Sequence, residues 1–207
     1  MEPREAFFLG YLTSFVGIPF RGMDILNAAN KHSSDALASR IAAQIDAFRA
    51  KNAETVDSVM RVEAILGKHG LPRPARPQTL DGYRTWSGEA SKTAAAATTP
   101  ETVVAAALSA GAFYGDLLAA LQLGMIVDQL LEIEPKNSVL QAQAVEQRAH
   151  AARAVERIEV VLRHPALPAK AKPALEDAIA RYHQTPDALA QLKPELNKHV
   201  NELVSAF

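Results

Sequence analysis

The stretch VVAAALSAGAFYGDLLAALQLGMIVDQLL, from Val103 to Leu131, carries Asp116 and Asp128 as its only charges and is apolar on nearly every side. A helix that is apolar all round is one that other helices must surround. The fold is therefore read as all-α, with this segment as its buried member. Widened to residues 101–135, the stretch holds five acids (Glu101, Asp116, Asp128, Glu132, Glu134) and no base. Residues 71–100 and 136–207 each carry a surplus of two positive charges. Those two regions are expected to face the acidic helix.

The same stretch is long enough to span a bilayer, and Gly111-x-x-x-Gly115 within it is a spacing used between packed membrane helices. Asp116 argues the other way. An acid near a helix centre costs roughly 3 kcal/mol on insertion scales, and the many Ala and Gly residues offset little of that. The segment reads as a core helix of a soluble, cytoplasmic protein, and no transmembrane segment is expected. At the amino terminus Glu2 and Glu5 stand where a secretory signal would be basic and then apolar.

A chain of 207 residues can bury a sizeable core without staples. Cysteine is absent, which excludes disulfides, thiolate metal sites and a Cys nucleophile. With 22 basic and 23 acidic residues the net charge is -1, so nothing in the overall charge favours nucleic acid or an anionic membrane.

Working outward from the central stretch, three long helices are predicted over about 34–67, 100–134 and 137–163, with shorter helices at both ends. Ser33-Ser34-Asp35 caps the first, in which Leu37, Ile41, Ile45, Phe48, Val56, Val59, Val62 and Leu66 recur at helical intervals until Gly67 and Gly70. In the last, Val145, Ala149, Ala152, Val155, Ile158 and Leu162 share a face. Thr99-Pro100-Glu101 and Thr185-Pro186-Asp187 each place a hydroxyl cap, a proline and an acid at a helix start, and Pro135 and Pro173 read alike. Pro194 falls inside the run Leu189, Leu192, Leu196, Val200, Leu203, Phe207 and is expected to kink one helix. No stretch alternates with period two, so no sheet is expected. The whole is a multi-helix bundle forming a single domain over 1–207.

Two segments stand apart. Residues 71–87 open with LPRPARP and are predicted to run extended as a crossover, with Tyr83 and Trp86 packing beneath. Residues 1–22 are rich in large aromatic side chains, Phe7, Phe8, Tyr11, Phe15 and Phe20. Either a short helix lies back across the bundle, or these residues form a dimer seam or partner-docking helix, since large apolar anchors dominate interfaces. In the second case Gly17 to Gly22 would be a hinge.

The six histidines form no His-x-x-x-His, His-Glu-x-x-His or Glu-x-x-His motif, and no metal or cofactor site is predicted. Glu146/His150 and Glu195/His199 stand at i,i+4, an ordinary surface spacing. Asp116 is the acid of most interest, because Gly111 and Gly115 beside it permit close approach of a backbone or ligand. A buried carboxylate there would need a cation such as Arg153 or Arg157, or it would serve as a helix-pair hydrogen bond fixing register. The candidate ligand site is Tyr114, Asp116, Trp86 and Arg153.

Leu131-Glu-Ile-Glu-Pro-Lys-Asn137 resembles the junction between successive tetratricopeptide repeats. That resemblance, over seven residues, implies a degenerate helical-hairpin repeat that binds peptides. Three functional expectations result. The first is a non-enzymatic helical interaction or scaffold protein, a homo-oligomer or partner of another protein, in which deletion of residues 1–20 changes assembly and spares the fold. The second is a small-molecule-binding bundle or enzyme with its pocket at Asp116, Tyr114 and Trp86. The third is the peptide-binding repeat.

Overall fold

In the computed structural model, which describes residues 1–207, the apolar stretch forms the 31-residue helix α5 (Val103–Ile133). The Thr102 side chain caps it, accepting from the Ala105 amide at 3.3 Å. Around it stand α1 (Pro3–Asn30), α2 (Asp35–Ala50), α3 (Asn52–Lys68), α4 (Leu80–Ala96), α6 (Ser138–Leu162), α7 (Lys172–Gln184) and α8 (Leu189–Ala206), with no strand. By length and a mean hydropathy of 1.6, α5 alone is apolar enough to cross a membrane. Here α1, α6 and α8 surround it.

The principal packing is between α1 and α5, which run parallel. Phe7 lies opposite Gly111, Tyr11 opposite Gly115, and Gly22 close to Leu123. The backbones touch where both helices lack a Cβ: any side chain at Gly111 would overlap the Phe7 carbonyl, and any at Gly10 the Leu108 carbonyl and the Ala112 amide nitrogen. Gly111-x-x-x-Gly115 thus serves close helix packing, as its spacing suggests. Ser14 donates its hydroxyl to Asp116 Oδ1 at 2.7 Å across the same seam.

Three apolar clusters share α1. One gathers Phe7, Tyr114, Leu121, Val155, Leu175 and Leu196 from α1, α5, α6, α7 and α8. A second joins Ile25 and Leu26 to Leu37, Ile41, Phe48, Leu123 and Leu140. A third packs Leu9 and Val16 against Val59, Val62, Leu66, Tyr83 and Trp86.

The expected helix over 34–67 is two helices, broken at Lys51 (φ -93, ψ 7). The break lets α2 pack in the second cluster and α3 in the third. The amino-terminal helix is no short appendage, for α1 has 28 residues and continues through Pro19. Gly17 and Gly22 are not a hinge. Gly17 faces the Tyr83 phenol and Gly22 the Phe48 ring, each too closely for a Cβ. Because Ala6, Phe7, Leu9 and Val16 are fully buried, residues 1–20 are part of the core and cannot be deleted without opening it.

Other boundaries also shift. The extended crossover ends at Thr79, which caps α4, and Tyr83 and Trp86 sit on that helix. Helices α5, α6 and α8 start three residues after Pro100, Pro135 and Pro186, so the prolines occupy the preceding turns and the caps of α5 and α6 are Thr102 and Asn137. Pro173 lies in the first turn of α7 and Pro194 inside α8. Val145 on α6 is 71% exposed, because the buried face runs through Gln147, Ala151, Ala154, Ile158 and Val161 instead.

Candidate functional site

The acidic face of α5 meets the basic face of antiparallel α6. Near the end of α5, Arg148 closes a two-pronged pair on Asp128, at 3.1 and 3.0 Å, and also reaches Asp187 at 3.2 Å. The basic surplus of 71–100 points elsewhere: Arg76 grips Glu63 at 2.8 and 2.7 Å, and Arg84 pairs with Asp81.

Three turns along, this pattern of closed pairs stops. Arg21 from α1, Asp116 from α5, and His150, Arg153, Ala154 and Arg157 from α6 line a cleft of about 250 Å³. The spacing 150, 153, 157 puts the three basic side chains on one face of α6. Arg157 Nη1 stands 3.9 Å from Asp116 Oδ2, too far for a hydrogen bond, and the guanidinium lies over the Phe113 ring at 5.5 Å. Arg153 has no hydrogen bond or ion pair to the protein. Arg21 touches only the Gly17 carbonyl, at 3.5 Å, and its Nη2 is buried without a partner.

Asp116 is not a core acid, since its side chain is 40% exposed at the cleft. It does form the helix-pair hydrogen bond anticipated as an alternative, through Ser14. Burial, and then Arg153, lower the His150 pKa, while Glu146 and Asp116 act in the opposite direction.

Of the four candidate ligand residues, Asp116 and Arg153 come together and the other two lie elsewhere. Tyr114 points into the core between α5 and α8, where its hydroxyl donates to the Leu196 carbonyl at 2.7 Å. Trp86 is buried among α1, α3 and α4, with its indole N–H unpartnered. To Asp116 and Arg153 the cleft adds Arg21, His150 and Arg157, the last being the other cation anticipated for Asp116. One signal for Arg21 was available: it is the only base between Ala6 and Asn30.

The aromatic residues of α1 divide. Phe7 is fully buried and stacks on Phe207 at 5.6 Å and Tyr11 at 6.2 Å. Tyr11 stacks in turn on Phe15, and Phe20 on Tyr83 at 5.7 Å. Phe8 faces outward. With Leu12, Ala64 and Ile65 it lines a groove of about 380 Å³ between α1 and α3, edged by Arg4, Glu5 and Arg61.

Comparisons with models of protein families, with curated proteins and with solved structures find no match. The functional reading accordingly rests on the chemistry of the cleft and the groove.

Proposed function

We propose that this protein is a helical-bundle binding protein that holds a small anionic molecule in the cleft between α1, α5 and α6. The observation that carries the reading is the contrast among its arginines. Arg148 and Arg76 are each closed on carboxylates at hydrogen-bonding distance, whereas Arg21, Arg153 and Arg157 surround a cavity whose one carboxylate, Asp116, none of them reaches at that distance. Guanidinium groups carry five donors in a fixed fork, and a buried donor without a partner is costly. An anionic ligand supplies the acceptors. Native mass spectrometry of the purified protein tests this: a retained small mass, lost in an Arg153→Gln/Arg157→Gln variant that still folds, is expected. Equal retention by wild type and variant would count against the reading.

A second reading, a non-enzymatic interaction or scaffold protein that docks a protein partner or a second copy, is supported by the groove at Phe8. Its apolar floor and charged edge have the anatomy of a docking surface. The same spectra test it. A multimer that Phe8→Asp dissociates, with the helical circular dichroism intact, is the expected result, and a monomer at every concentration would remove self-association.

A further inference from the structure

Building on the reading of the cleft as an anion site, we propose that its occupant is a small hydroxyl-bearing phosphate monoester, its phosphoryl group held between Arg21 on α1 and Arg153 and Arg157 on α6. Charge fixes the valence. Three guanidiniums against one carboxylate leave two positive charges in the cleft. Burial and then Arg153 disfavour protonation of His150, so the imidazole is left out of the count. A phosphate monoester has a second pKa near 6 and carries about -1.5 to -2 charges at neutral pH.

Geometry then favours phosphate over a dicarboxylate. Groups from two different helices converge on one small space, and a phosphoryl group concentrates its charge and three acceptor oxygens at one point. A dicarboxylate spreads its charge along a carbon chain. At about 250 Å³ the cleft is smaller than the roughly 300–1,000 Å³ of sites for drug-sized ligands. It suits a phosphoryl group on a short polar chain.

Asp116 selects the rest of the molecule. Its Oδ1 is occupied by the Ser14 hydroxyl, while Oδ2 lies 3.9 Å from Arg157 and remains able to accept. A carboxylate at the edge of a phosphate site repels a bare anion and rewards one that brings a hydroxyl donor. Asp116 is therefore assigned to a ligand hydroxyl, and the three arginines to the phosphoryl group.

Isothermal titration calorimetry on the full chain with glycerol phosphate, inorganic phosphate, succinate and acetate tests the assignment. Glycerol phosphate is expected to bind at one site. Replacing any one arginine (Arg21→Gln, Arg153→Gln, Arg157→Gln) should weaken it about 10- to 100-fold, the usual worth of a charge-assisted hydrogen bond. The Arg157 side chain is 56% exposed, so Arg157→Gln keeps the test valid if Arg21→Gln fails to fold. Asp116→Asn should weaken glycerol phosphate and leave inorganic phosphate as tight or tighter, a reversal that general loss of structure cannot produce. Should succinate or acetate bind at least as well and be lost in the arginine variants, the anion site stands and the phosphate assignment falls. If none of the four binds, or if glycerol phosphate binds equally to all the arginine variants, both the assignment and the reading beneath it fall.

Discussion

The Tyr114 phenol donates to the Leu196 carbonyl at 2.7 Å and so joins α5 to α8 inside the core. Burial pushes its pKa far above the ordinary phenol range, so the group stays a donor at any working pH. Tyr114→Phe removes this bond and nothing else of its shape. A loss of about 1 kcal/mol is expected in urea unfolding. No effect on ligand binding in the cleft should accompany it, because Tyr114 lies in the core.

Two glycine substitutions should have opposite signs. Gly111→Ala drives a methyl into the Phe7 carbonyl and must separate α1 from α5, at a cost of about 1–3 kcal/mol. Gly88→Ala, at an exposed position of α4 with open space around it, should stabilise by about 0.5–1 kcal/mol through helix propensity alone. Thermal unfolding of the two variants beside wild type decides the matter, and equal melting temperatures would contradict the close seam.

Acid should loosen the contact between α1 and α3. Lys68 first, and His69 next, lower the Glu5 carboxyl from 4.5 to about 2. Native Glu5 therefore takes up its proton at lower pH than the unfolded chain does. Its contribution is complete above pH 4.5 and is lost as the pH falls toward 2. Urea midpoints measured across that window should fall less steeply in Glu5→Gln than in wild type; parallel slopes would show that the contact does not persist in solution.

His150 offers a reporter inside the cleft. Burial and then Arg153, with a smaller effect from Arg21, disfavour its protonation, against Glu146 and Asp116. Its NMR titration midpoint should lie below 6.5. The depressed value means that stability declines as the pH drops below the unfolded midpoint, since the unfolded imidazole then binds the proton better. A phosphoryl group seated beside it should move the midpoint upward. A midpoint unmoved by saturating phosphate would place the anion elsewhere.

The all-helical bundle was legible because the Val103–Leu131 stretch is apolar on nearly every side and Asp116 within it favours burial among helices over a bilayer. The break at Lys51 was not. Phe48 and Val59 are eleven residues apart, about three helical turns, so the apolar phase runs unbroken through a point where the chain turns from one core cluster to another. Val145 was misplaced for a related reason. An Ala-rich helix offers several stripes of similar apolarity, and only the neighbouring helix chooses among them. Half of the cleft could be read from Asp116, Arg153 and Arg157, which share one helical hairpin. Arg21 comes from about a hundred residues earlier, and only the parallel packing of α1 on α5 brings it there. Tyr114 and Trp86 looked available because the sequence shows large polar-tipped rings, not the direction in which they point.

That parallel seam has a consequence for how the protein is made. Helix α1 ends at Asn30, and the helix that covers it is not complete until Ile133, 103 residues later. At synthesis rates of about 5–20 residues per second, the Phe-bearing face of α1 waits roughly 5–20 s for its main partner. Through that interval only α2, α3 and α4 can shelter it. The nascent chain thus carries the Phe-bearing face of α1 without its main cover for the whole of the time it takes to make α2 to α5.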